Sequence, residues 1–157
     1  MFVEFQKLSN NSRIWIYGSD KIISEDIQKI IGIKFKDFLN SWYHHGKPLT
    51  ASYDFLHNRF LVIGLDESKN PTGGCSIDGL QKLILEIDNF YKFNFYERMN
   101  VFVKVDNKIE CIHSSNIGTF NGISEETLFF NLNISKKKDL SNWLIPIRDG
   151  WCKRFLN

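Results

Sequence analysis

Paired cysteines are missing from this chain. Its three cysteines, Cys75, Cys111 and Cys152, are odd in number and show no C-x-x-C spacing. That excludes a disulfide scaffold and predicts reduced thiols, as in a cytosol. Cys111-Ile-His113 supplies two metal-ligand types, but a zinc centre would need its other ligands from elsewhere, so neither a metal nor a cofactor is expected. The beginning, "MFVEFQKLSNNSR", lacks the basic start and apolar run of a signal peptide. No stretch approaches the length of a membrane span. Internal repeats, low-complexity tracts and linker-like composition are also missing. The expectation is one cytoplasmic domain, 1–157, that avoids membranes and is long enough to bury a core without staples.

Aromatic residues, by contrast, are abundant. Fourteen Phe and four Trp in 157 residues mean that much of the core must be built from rings. Charge is nearly balanced at +2, but it is unevenly spread. Residues 136–157 hold six cations against Asp139 and Asp149, a local +4 that leaves −2 for residues 1–135. A mildly acidic body with a basic tail points weakly to an acidic partner, and a solvated charged surface is the favoured explanation.

Patterning predicts the elements. "SRIWIYGSD" is a β-rich run with Ile14 and Ile16 on one face and Trp15 and Tyr17 on the other. Ser24 suits a helix N-cap, with Glu25 and Asp26 in the first turn. Apolar residues from Ile27 to Trp42 then fall at helical spacing over 24–43, with His44, His45 and Gly46 as a C-terminal stop. Residues 49–56 alternate like a half-wet strand, and His57-Asn58 gives a tight turn into the nearly all-apolar 60–65. Ile77 to Tyr91 is helical again. "MNVFVKVDNKIECI" is a hairpin turning at Asp106-Asn107, and "TLFFNLNI" reads as one more strand. The order β-α-β-β-α-β over 12–105 predicts an α+β, ferredoxin-like βαββαβ sandwich, with both helices on one sheet face. Residues 106–157 are then a C-terminal elaboration of extra strands and a docked tail, which covers the other face.

The segments "IWIYGSD", "LNSWYHHGKPLTASY", "RFLVIGLDES", "GGCSID", "FYERMNVF" and "NWLIPIRDGWCKRFL" resemble a family of small Bacteroidota proteins of unknown function. Members are often labelled "ABC transporter ATPase", and the GCSID block is the most specific part of the likeness. The label implies nucleotide hydrolysis, which the residues do not support. A P-loop needs G-x-x-x-x-G-K-[ST], because backbone amides wrap the phosphates while the Lys neutralises them. Gly73-Gly74-Cys75-Ser76 has neither that spacing nor the Lys. No ABC-type ATPase activity is expected.

"NPTGGCSIDGL" carries the main candidate site. Two glycines permit a sharp turn with positive φ, and a helix is expected to start at 75–77. Free amides at such a start, from Gly73, Gly74, Cys75, Ser76 and Asp78, could hold a small anion or a protein partner, helped by Arg98. The same position would lower the Cys75 thiol's pKa and allow a Cys75-dependent hydrolase or transferase. His44 and His45 would be its helpers, but the end of the first helix is expected at the opposite edge from the start of the second. The plain alternative is a well-capped helix. A third reading is single-stranded RNA binding. Trp15, Tyr17, Phe102 and Lys104 would form a stacking face, or Trp143, Trp151 and Phe155 would interleave with Arg148, Lys153 and Arg154. Against it, "NRFLVIGL" lacks the pattern of an RNA-recognition strand. The tail is expected to dock instead, with Trp151 and Phe155 buried and Lys153 and Arg154 in water. The leading expectation is a non-enzymatic cytosolic binding module at the 73–78 turn, with nucleic acid disfavoured as a partner.

Overall fold

A computed structural model describes residues 1–156; Asn157, the last residue of the expected domain, lies outside the described residues. The first strand, β1 (Arg13–Gly18), leads into α1 (Glu25–Asn40). The Ser24 hydroxyl accepts the Ile27 amide at 3.3 Å, the expected N-cap. Ile31, Phe35 and Leu39, four residues apart, are the stripe that α1 buries. The helix stops at Asn40 rather than reaching 43, because Ser41 turns its hydroxyl back onto the Asp37 and Phe38 carbonyls. Residues read as a helix stop instead make a small hairpin, β2 (Tyr43–His44) and β3 (Lys47–Pro48). Its turn places His45 and Gly46 at φ 50° and 75°.

The next hairpin pairs β4 (Thr50–Leu56) with β5 (Phe60–Asp66), turning through His57 and Asn58 at φ 54° and 56°. Every residue of β5 is buried, as its apolar run implied. Strands β1 and β5 are antiparallel neighbours, and the sheet order is β1-β5-β4. One face, bearing Tyr17, Ala51, Leu61, Ile63 and Leu65, packs with α1 and with α2 (Gly74–Tyr91) into the largest core cluster. Both helices therefore share that face.

The fourth strand departs from expectation. In a ferredoxin-like sheet it would pair with β1; here β6 (Asn100–Val105) pairs with β7 (Lys108–His113) and β8 (Leu128–Phe130). With β9 (Leu144–Pro146) they form a second sheet, ordered β7-β6-β8-β9. The chain is α+β, with three of the four expected strands in the helix-backed sheet. The reason lies in the side chains of β6. Phe102 is buried against Phe60 at 5.1 Å, on the face of the first sheet opposite the helices. Val101 and Val103 point the other way, into a cluster with Phe129, Ile147 and Cys152. A strand apolar on both faces must be covered on both, and this position covers it.

The C-terminal segment thus closes two surfaces. Phe60, Phe102, Phe130 and Trp143 form an aromatic joint between the sheets, while the 3₁₀ turn Trp151–Phe155 backs the second sheet. Trp151 and Phe155 are only half-buried; the fully buried anchors are Ile147 and Cys152. Lys153 and Arg154 are exposed, as expected.

Candidate functional site

The start of α2 differs from the expected strained turn. Gly73 is the N-cap at φ −141°, an extended conformation open to any residue, and Gly74 opens the helix. Positive-φ glycines occur at Gly46 and Gly122 instead. Gly73 is small for another reason: a Cβ there would lie 2.6 Å from His44 Cε1, whereas one on Gly74 would meet nothing within 4 Å. His44 was expected far from this helix start. The β2–β3 hairpin brings it there, with Ser76 Oγ 3.3 Å from its Nδ1 and the His45 ring tilted against it at 4.0 Å. The Ser76 hydroxyl donates to the Tyr43 carbonyl at 2.9 Å, and Trp42 Nε1 donates to the Ser76 carbonyl at 2.8 Å. These contacts fasten the hairpin to α2. Cys75 is exposed, and its thiol has no hydrogen-bond partner among the described residues. The histidine therefore meets Ser76 rather than Cys75, and Asp78 adds no side-chain cap.

Arg98 sits elsewhere. It lines a groove of about 720 Å³ between the helix-backed sheet and the second sheet, and none of residues 73–78 lines it. From α2 only Gln81 reaches the groove, joining two tyrosines. Its Nε2 donates to the Tyr17 hydroxyl at 2.7 Å, and its Oε1 accepts from the Tyr96 hydroxyl at 3.0 Å. The two rings meet edge to face at 5.8 Å. Burial, then the neighbouring Tyr17 and Asp88, pushes the Tyr96 phenol up to about 12, so it remains a neutral donor. Arg13 stacks over Trp15 at 4.5 Å and faces Glu67 at 3.6 Å. The Arg98 guanidinium, by contrast, has no hydrogen-bond or ion-pair partner among the described residues, although Glu97 is adjacent. Glu97 is engaged with the Met99 amide at 3.0 Å.

No family model, curated protein or solved structure matches this chain.

The RNA-stacking face does not form. Trp15 and Tyr17 pack toward the helices, and Phe102 is buried in the inter-sheet joint. The basic tail is also largely engaged. Lys137 Nζ donates to the carbonyls of Phe5 at 2.8 Å and Leu8 at 2.7 Å, tying down the N-terminal turn Phe5–Lys7. Arg148 pairs with Glu126, and Lys153 faces Glu125 at 3.9 Å. Cys111 is half-buried, and its thiol is raised to about 11 by burial and then by Asp20, which disfavours a metal-binding thiolate. No group of three His, Cys, Asp or Glu is placed to hold a metal among the described residues, and no helix there is long and apolar enough to cross a membrane.

Sequence reasoning singled out Arg98 but assigned it to the wrong neighbours. It missed Tyr17, Gln81 and Tyr96 as a connected set. The only available signal was local: Tyr17 and Gln81 sit in apolar-patterned segments and need a polar partner where they are buried, whereas Tyr96 lies in an exposed turn and gave no such signal.

Proposed function

We propose that this protein is a non-enzymatic binding module that takes an anionic ligand in the groove between its two sheets, with Arg98 as the charge partner. The observation that carries this reading is an arginine without a partner on the wall of a roomy aromatic groove. A guanidinium offers five donors in a planar fork suited to carboxylate and phosphate. Around it, Tyr17, Gln81 and Tyr96 satisfy one another and form a fixed, neutral wall. Such a wall supplies shape and no nucleophile, which fits binding better than turnover. At the 73–78 turn, the Ser76 hydroxyl is already donated to a backbone carbonyl, so a catalytic role for that turn has less support.

The test is binding of citrate and inorganic phosphate, followed by the ring-proton NMR signals of Tyr96 and Trp151 in wild type, Arg98→Gln and Cys75→Ser. Shifts that saturate in wild type and in C75S, and weaken about tenfold or more in R98Q, are expected for a charge-assisted contact of roughly 1.5–3 kcal/mol. Equal titration of wild type and R98Q would sink the reading.

A further inference from the structure

The groove has a second property that follows from the strand missing beside β1. Backbone groups of alternate residues in an antiparallel strand point to opposite edges. The Ile14 amide donates to Ser135 at 2.9 Å, away from β5, so Ile14, Ile16 and Gly18 present their polar groups to the free edge. Bonds of Ser12 and Asp20 obey the same alternation. The Ser12 carbonyl accepts from Lys137 at 2.9 Å, and the Asp20 amide donates to Phe93 at 3.0 Å. The edge is therefore closed at each end and open between. The Ile14 carbonyl, the Ile16 amide and carbonyl and the Gly18 amide and carbonyl have no partner among the described residues. All three residues line the groove that contains Arg98.

The opposite edge strand is treated differently. On β4 the Ala51 amide and carbonyl are taken by Met1 and Val3, the Tyr53 carbonyl by the Ser52 hydroxyl at 3.4 Å and the Phe55 amide by the Asp54 carboxylate at 2.8 Å. Only the Tyr53 amide and the Phe55 carbonyl stay without a partner among the described residues. Edges are normally blunted in this way, and the β1 edge is left open where a groove meets it.

The geometry points to an extended peptide as the ligand, adding as a strand to the β1 edge from Ile14 to Gly18, with a carboxylate side chain on Arg98. This rests on the groove reading above and names its ligand class. A row of alternating donors and acceptors complements a peptide backbone and little else. The charge comes from Arg98 and from Arg13 at the closed end, against Glu97 alone. Aromatic walls from Tyr17, Tyr96 and Trp151 would receive the alternate side chains. The open length, Ile14 to Gly18, suits four or five peptide residues, at roughly 3.3 Å each.

The experiment is selection of a displayed library of random octapeptides on the full-length protein, with counter-selection on Arg98→Glu. Enriched peptides are expected to carry Asp or Glu at one fixed position and apolar residues at alternate positions. The best peptide is then resynthesised with single N-methyl groups along its length. N-methylation at one alternate set should weaken binding about thirtyfold or more and at the other set less than threefold, since only one set faces β1. Hydrogen exchange at the Ile16 and Gly18 amides should slow at least tenfold in the complex. An enriched peptide without that alternation, or with Ile16 and Gly18 unprotected, overturns strand addition. No enrichment at all also overturns it, and the citrate and phosphate titration then shows separately whether Arg98 still binds an anion.

Discussion

The two sheets are close in size but are held in different ways. The first is backed by two long amphipathic helices, whose buried residues recur at three and four positions. The second has no helix longer than a short 3₁₀ turn behind it; Ile147 and Cys152 come from segments of three and five residues. Both bury residues completely, so burial alone does not distinguish them. The difference is stiffness. A helix fixes its side chains through a continuous hydrogen-bond ladder, whereas short turns can shift to follow a change beneath them.

The joint between the sheets provides the strongest test. Phe60 belongs to the first sheet yet contacts Phe102, Phe130 and Trp143 of the other half, at centroid distances of 5.0–5.1 Å. Phe60→Ala is expected to cost about 3–5 kcal/mol in a urea melt. It should also lower the melting temperature of both halves together, followed by tryptophan fluorescence and by far-UV signal. Separate transitions already in wild type would mean that the sheets fold independently, and the comparison would lose its common core.

The next test uses one substitution in both settings. Ile84 on α2 and Ile147 in the C-terminal segment are each fully buried. Ile→Ala removes the same atoms, and such changes cost about 2–5 kcal/mol depending on how far the site collapses. Ile84→Ala is expected near the top of that range and Ile147→Ala near the bottom, because the turns around Ile147 can close over the gap. Equal losses in chemical denaturation would show that the second sheet is as rigidly backed as the first.

The smallest effect is expected at the turn joining β4 to β5. His57 lies on Phe130 and Trp143 of the other half, at 5.2 and 6.1 Å. Burial, and then the Lys104 ammonium, holds its pKa below the ordinary value. The unfolded chain therefore takes up the proton first as pH falls. Stability should decline from just above the usual imidazole range, near pH 6.5, down to the lowered native pKa, and then level off. His57→Asn keeps a residue that tolerates positive φ and should remove this part of the slope between pH 7.5 and 5.5. An unchanged slope would place the titration on other groups.

These contrasts also explain what was legible in the sequence. Ser24, the α1 stripe and the αL turns at 57–58 and 106–107 follow from local chemistry, so they were readable in order. The pairing partner of β6 was not. Its identity depends on Phe102 meeting Phe60 forty-two positions away in sequence, and on side chains that cover its second face. Likewise, "TGG" correctly announced the start of α2 but not the reason for it. Gly73 yields to a histidine delivered by a hairpin, and a hairpin of two-residue strands leaves little pattern to read. Arg98 drew attention as a cation near a turn; its groove mates Tyr17 and Gln81 are sixty-four residues apart.

The closure of the β1 edge by Ser135 and Lys137 has a consequence during synthesis. Domains generally form as the chain emerges, N-terminal part first. Residues 13–91 hold all three strands and both helices of the first layer, so that layer can assemble while residues 132–137 are still inside the ribosome. Until they emerge, the β1 edge lacks its Ser135 and Lys137 contacts, and Phe60, already met by Phe102, still lacks Trp143. The nascent chain thus passes through a stage with more sticky surface than the finished protein. Slowing translation between codons 91 and 137 should then increase its capture by chaperones that recognise extended apolar segments.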